Sequence, residues 1–143
     1  MKRVIAYGFF SDMGINTGEN AIKNIKNFIK QTNNKEWNLQ HIYLYTGKIK
    51  KDNEQIKEIN RLIENKLVDI VILLKFKHLG NNRKDYFSFI DKALENDVDV
   101  ISIGDRFTTL GETGKINYKI LRSFFEMEEK VKAKRKENRG KER

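Results

Sequence analysis

One stretch of this sequence is almost wholly aliphatic: residues 68–74 read Val-Asp-Ile-Val-Ile-Leu-Leu. A strand of this kind fits the centre of a parallel sheet, where helices cover both faces. Strand-like and amphipathic helix-like segments alternate around it, so the sequence predicts an α/β fold with a mainly parallel sheet of about four to five strands, flanking helices and a long C-terminal helix. The predicted strands are 3–10, 39–45, 68–74 and 98–103, and the predicted helices are 19–32, 53–65, 83–95 and a last one from about residue 113.

The length of 143 residues indicates one domain. We assign residues 1–112 to its α/β part and residues 113–143 to a long helix of the same domain. An apolar stripe at helical spacing runs along that helix, at Ile116, Ile120, Phe124, Met127 and Val131. The stripe is longer than one small sheet can cover, so we expect it to form the interface of a homodimer or higher oligomer, rather than only an internal core contact.

The chain carries a formal net charge of +9, and many of its positive residues come late. A basic balance favours phosphate-rich partners through counterion release, while a lysine-rich soluble surface is the other interpretation. The residues that we expect to bind DNA weakly, through its phosphates, are Lys134, Arg135, Lys136 and Arg139. Their alternative role is that of a solvated helix end.

Cysteine is absent, and His41 and His78 are the two histidines. Disulfides, thiolate metal sites and histidine-rich metal sites are therefore excluded. No apolar run approaches the roughly 20 residues needed to span a bilayer, so we expect no membrane partner. The apolar segment at the N-terminus is too short for a signal peptide, which favours a cytoplasmic protein.

Four segments of the sequence follow one another in a recognisable order. An apolar strand ends in a serine (residues 4–11), and a Lys-x-x-x-Leu-Gly turn follows the central aliphatic run (75–80). Two further segments lead into the last helix (108–115) and run along it (120–128). In this order and at this spacing they resemble the resolvase/invertase family of serine recombinases. The resemblance implies that a serine hydroxyl, here that of Ser11, attacks a DNA phosphodiester with neither a metal nor any other cofactor. It also implies dimerisation through the long last helix.

The chain departs from this family where the family keeps charged catalytic side chains. The replaced positions are Phe9, Lys77, His78, Asn81 and Glu129. Arginine offers a rigid bidentate fork to a phosphate, whereas lysine offers a single mobile charge. Ser11 is thus a candidate nucleophile without its activating partners, or a plain loop serine.

Some positive side chains remain around the expected site and should preserve affinity for phosphate: Lys48, Lys77 and Arg83. His78 takes the place of an arginine, and two roles are open to it. It could act as a general base, because histidine titrates near neutral pH, or it could be a histidine on a surface turn.

These observations predict a serine-recombinase-like domain associated with DNA strand exchange, of the kind that mobile elements carry. We expect it to be catalytically impaired, a pseudoenzyme that dimerises and associates with DNA, with a full-length recombinase as a second candidate partner. The alternative is an active, divergent serine recombinase that forms a phosphoserine–DNA intermediate through Ser11.

Overall fold

The computed structural model of the protein describes residues 1–10, 17–46 and 53–141. The chain forms two compact units, Met1–Thr108 and Thr109–Arg143. The elements of the first unit are β1 (Lys2–Phe9), α1 (Gly18–Thr32), β2 (Trp37–Tyr45), α2 (Glu54–Glu64), β3 (Ile70–Leu73), a 3-10 turn (Phe76–His78), α3 (Arg83–Glu95), β4 (Asp99–Ser102) and β5 (Phe107–Thr108). The second unit contains α4 (Gly111–Lys141).

The five strands form one sheet in the order β2-β1-β3-β4-β5. The first four are parallel, and β5 pairs with β4 in the antiparallel sense. The predicted fold class is confirmed. Because β2 lies on one side of β1 and β3 on the other, the chain reverses its direction of travel across the sheet between β1 and β3. In open α/β sheets the crevice at such a switch point, at the carboxyl ends of the strands, is where ligands bind.

The core of the first unit lies on both faces of the sheet. All four residues of β3 are buried, as the aliphatic run predicts. Each flanking helix buries apolar residues of its own: Ala21 and Ile25 in α1, Ile56, Ile59 and Ile63 in α2, and Phe87, Phe89, Ile90 and Ala93 in α3. These apolar faces pack the helices against the sheet and thereby position the described strand ends.

Polar side chains define where the three flanking helices begin. Thr17, Asn53 and Asn82 each accept a hydrogen bond from a backbone N–H of the first helical turn. Asn53 also donates from Nδ2 to the hydroxyl of buried Tyr7, at 2.8 Å. The start of α2 is thereby tied to the middle of β1.

The structure differs from the sequence-based prediction between β4 and α4. We predicted a polar loop over residues 104–112, and the structure places β5 within it. Two residues are too few to produce a recognisable alternation of polar and apolar side chains, which is why this strand was missed. The other strands and helices are present, with ends that differ by a few residues from those predicted.

Helix α4, in the second unit, has 31 residues. Its apolar stripe is exposed: Ile116, Ile120, Phe124, Met127 and Val131 are each between 47% and 61% accessible to solvent. The basic residues Lys134, Arg135, Lys136 and Arg139 are exposed as well. Within the described ranges, no helix combines the length and the apolar character needed to cross a membrane.

Candidate functional site

The carboxyl ends of β1, β3 and β4 meet at one edge of the sheet, where the sequence places Ser11. Strand β1 ends at Phe9, and the N–H of Phe10 donates to the carbonyl of Tyr45 at 3.0 Å. Ser11, the candidate nucleophile, is the next residue and lies outside the described residues, as does Lys48. The roles predicted for these two side chains stay predictions.

His78 is buried directly beside the end of β1. It is 6% exposed, and its Nδ1 accepts a hydrogen bond from the N–H of Phe9 at 3.0 Å. Burial lowers the pKa of His78 to about 4, and the charges of Lys75 and Lys77 contribute to this shift. At neutral pH the imidazole is therefore uncharged, with its proton on Nε2.

The interpretation of His78 as a surface-turn histidine is wrong, because the 3-10 turn folds the side chain inward against β1. Its proposed role as a general base also becomes weaker. Nδ1 is engaged by a backbone amide, and the low pKa makes the ring a poor proton acceptor at neutral pH. A neutral imidazole also supplies none of the positive charge that an arginine would bring.

The ring of Phe9 contacts two other rings at the same edge. Its centroid is 6.3 Å from that of Tyr45 and 5.9 Å from that of His78, both in tilted arrangements. An apolar aromatic cluster thus fills the position at the end of β1 where the resembled family has an arginine.

The turn after β3 is fixed by the turn after β4. Asp105 Oδ2 accepts hydrogen bonds from the N–H of Phe76 at 2.7 Å and from the hydroxyl of Ser102 at 2.6 Å. The N–H of Gly104 donates to the carbonyl of Leu74 at 2.8 Å, and a Cβ on Gly104 would lie only 2.7 Å from that carbonyl oxygen. The glycine permits the close approach that holds Lys75 and the 3-10 turn in place.

Gly80 has an equally tight environment. A Cβ at this position would meet the carboxylate of Asp85 at 2.5 Å, and that carboxylate accepts a hydrogen bond from the N–H of Asn81. The Leu79-Gly80 pair that carries part of the family resemblance therefore has a structural role here. It lets the chain turn tightly into α3.

A cavity of about 530 Å³ lies at this edge, between α1 and the ends of the strands. Strand ends and the following turns contribute Phe9, Leu74, Lys75, Lys77, His78, Ile103 and Gly104. Helix α1 and its cap contribute Thr17, Asn20, Ala21, Asn24, Asn27, Phe28 and Gln31. The lining therefore combines two lysines with a row of amide side chains.

Sequence reasoning missed the α1 amides, because it considered only the apolar face of that helix. The signal was present: Asn20, Asn24, Asn27 and Gln31 follow one another at intervals of four, three and four residues. This spacing places side chains on one helical face.

Among the described residues, no arginine lines the cavity. Two arginines of the first unit form ion pairs elsewhere: Arg3 with Asp69 at 3.0 Å and Arg61 with Glu58 at 2.7 Å. Arg83 begins α3 and is not part of the lining, so the structure brings together Lys77 and His78 of the predicted site residues but not Arg83. Within the described ranges, no group of acidic residues and histidines could hold a metal ion.

The family model of the resolvase N-terminal domain matches residues 11–143. This chain belongs to the resolvase family. The match spans most of the chain. The family supports a recombination-related function for this resolvase-like domain.

Solved structures similar to this resolvase-like chain include the N-terminal catalytic domain of TP901-1 integrase. It is 21% identical, with a TM-score of 0.75, over 91% of this chain and 98% of that chain. A resolvase family site-specific recombinase from Streptococcus pneumoniae is 16% identical, with a TM-score of 0.58, over 95% and 98%. The C-terminal catalytic domain of ISC1926 TnpA, an IS607-like serine recombinase, is 10% identical, with a TM-score of 0.57, over 86% and 98%.

At these identities the likeness establishes the fold. No curated protein matches the chain significantly.

Proposed function

We propose that this chain is a serine-recombinase-like domain for DNA strand exchange whose catalytic activity is impaired, and that it acts as a dimerising, DNA-associated module. The observation that carries the proposal is the chemistry of the cavity at the carboxyl edge. Its described lining has two lysines, a neutral buried histidine and two phenylalanines, and no arginine.

The energetic consequence of this lining is large. Phosphodiester attack builds negative charge on the transferring phosphate, and positioned donors must meet that charge as it forms. Removing one such donor costs about 3–4 kcal/mol of transition-state stabilisation. Lys75 and Lys77 supply charge on mobile stems, which favours retained phosphate binding over efficient cleavage.

The dimerising part of the proposal rests on α4. Its exposed apolar stripe is a surface that a second copy of the same helix could cover, and the family resemblance implies an interface there. The exposed cations that follow the stripe would face DNA phosphates by charge alone.

An active enzyme is the second candidate, and the positive charge of the site favours it. Lys75 and Lys77 line the cavity, and no acidic residue of the described chain joins them there. In this version the lysines neutralise the phosphate, and Ser11 attacks it.

Trapping of a covalent adduct separates the two candidates without knowledge of the target sequence. The intact protein is incubated with sheared genomic DNA from its source, digested with nuclease and trypsin, and analysed by mass spectrometry. Cleavage after Arg3 and Lys23 yields one peptide, residues 4–23, that contains Ser11. A nucleotide attached to this peptide would report a phosphoserine intermediate.

The impaired domain should give no modified peptide, whereas a catalytically competent serine recombinase with its own site gives one under the same conditions. Ser11→Ala should leave DNA binding unchanged. A nucleotide-bearing peptide from the unmodified chain that is lost in Ser11→Ala would establish the active enzyme instead.

A further inference from the structure

The cavity between α1 and the strand ends has a lining that differs from the rest of the surface. The chain has 20 acidic residues, yet none of the described residues that line this cavity is acidic. Two lysines, Lys75 and Lys77, stand on its strand side. The described lining therefore favours an anionic group, which would meet the positive charge of the two lysines, while the nearby carboxylate of Asp105 is engaged by the N–H of Phe76 and the hydroxyl of Ser102.

The opposite wall is made of amides. Asn20, Asn24, Asn27 and Gln31 occupy one face of α1, and all four are exposed at the cavity. An amide side chain carries both donors and an acceptor, so it can pair with the donor–acceptor edge of a nucleobase. The lysines of the same helix, such as Lys23, do not contribute to the lining.

Each of the two walls also contributes an aromatic side chain. Phe9 on the strand side and Phe28 of α1 both line the cavity and are half-buried. Aromatic rings accept nucleobases by stacking without regard to their sequence. The volume of about 530 Å³ falls within the range of cavities that hold small organic ligands.

From these walls we infer that the cavity binds a nucleotide, with the base edge at the amide row of α1 and the phosphate at Lys75 and Lys77. The nucleotide comes either as a free monophosphate or as one unit of a single DNA strand, since both present the same phosphate and base. The inference rests on the phosphate binding that the proposed function assigns to Lys75 and Lys77, but it requires neither strand cleavage nor dimerisation, so its failure is distinguishable from failure of the proposed function.

The test is a titration of the full chain with the four deoxynucleoside monophosphates and, separately, with deoxyribose 5-phosphate, followed by amide NMR. Backbone and side-chain amides of α1 should shift with the nucleotides. The Asn24→Ala/Asn27→Ala variant should weaken nucleotide binding about ten-fold and leave deoxyribose phosphate binding unchanged, because only the base contacts are lost. Lys77→Gln should weaken both ligands several-fold.

Two control variants match these changes outside the cavity. Gln40→Ala removes an exposed amide of β2, and Lys23→Gln removes a charge from α1, and both should leave binding unchanged. All of the substituted side chains are on the surface, so the fold should be retained.

The source of the nucleotide is distinguished with a short single-stranded oligonucleotide. If the Asn24→Ala/Asn27→Ala variant weakens binding of both ligands, the cavity accepts free and strand-borne nucleotides. If it weakens only the oligonucleotide, the DNA strand is the source. The inference is overturned if neither ligand shifts α1, if deoxyribose phosphate binds as well as the nucleotides, or if the amide variant binds like the unmodified chain.

Discussion

Helices α2 and α4 carry the same kind of apolar pattern, and the molecule uses the two patterns differently. Ile56, Ile59 and Ile63 of α2 are at most 3% exposed, because they pack on the sheet side of the first unit. The corresponding stripe of α4 is between 47% and 61% exposed. Apolar periodicity thus indicates that a helix face is to be covered, but it does not identify what covers it.

The largest effect that we expect comes from placing charged residues in the apolar stripe of α4. In a two-fold interface every substituted position counts twice. Each buried Phe or Met contributes about 1.5–3 kcal/mol, so Phe124→Glu with Met127→Glu should cost about 6 kcal/mol or more of association free energy. Sedimentation should show a self-associating unmodified chain and a monomeric variant.

A matched variant on the same helix is Lys132→Gln with Ala133→Glu, which changes the net charge by the same amount away from the stripe. It should sediment like the unmodified chain. A monomeric unmodified chain at high protein concentration would show that no second copy covers the stripe.

Isoleucine truncation compares the two helices with one chemistry. Ile59→Ala opens a cavity in the core and should lower the free energy of unfolding by about 2–5 kcal/mol. Ile120→Ala, on a face that is exposed in the single chain, should change it by less than about 0.5 kcal/mol when both variants are measured at a protein concentration at which the chain is monomeric. Urea unfolding followed by the fluorescence of Trp37, the single tryptophan, reports on the sheet unit. Equal losses from the two substitutions would contradict the contrast between the helices.

We expect the unfolding free energy of the first unit, which contains the sheet, to depend on pH through His78. Its pKa is about 4 in the folded chain, against 6.5 for a free histidine, so the unfolded chain binds more protons between these pH values. Stability is therefore full above pH 6.5 and falls as the pH drops towards 4, by about 3 kcal/mol in all.

The variant His78→Asn keeps a side-chain acceptor for the N–H of Phe9 but cannot titrate. Its unfolding free energy, measured by urea titration at each pH, should fall less over this window than that of the unmodified chain. The carboxyls of Asp69 and Glu58, whose pKa values are lowered by Arg3 and Arg61, contribute the same pH dependence to both proteins and cancel in the difference. An identical pH slope in both proteins would show that His78 is not the group responsible.

Much of the fold could be predicted from the sequence, because the strongest patterns were local. The aliphatic run at 68–74 marked the central strand, and the spacing of Ile56, Ile59 and Ile63 marked the buried face of α2. The short strand β5 could not be found in this way. Its pairing with β4 is a tertiary contact, and two residues are too few to show the alternation of polar and apolar side chains that marks a strand.

The candidate site was less predictable, because its chemistry depends on which way side chains face. His78 stands in a polar, basic stretch, and nothing in that stretch indicates that the 3-10 turn buries it against Phe9. The amide row of α1 became meaningful only when the sheet edge was placed opposite to it. Lys77 was assigned to the phosphate site from the resemblance, and the structure puts it in the cavity lining.

The smallest effect that we expect concerns the basic end of α4, whose cations are compared with the cations of α1 and α2. Replacing Lys134, Arg135, Lys136 and Arg139 with glutamine should weaken non-specific duplex binding about ten-fold, from a dissociation constant on the order of 10⁻⁴–10⁻⁶ M. Each lost phosphate contact should also reduce the slope of log affinity against log salt by about 0.9. A control with the same loss of charge, at Lys23, Lys26, Lys30 and Lys57 in α1 and α2, separates position from net charge. Fluorescence anisotropy at several salt concentrations measures both quantities. If the control weakens binding as much as the α4 variant does, the cations of α4 have no special position on DNA, and the end of this helix is a solvated surface.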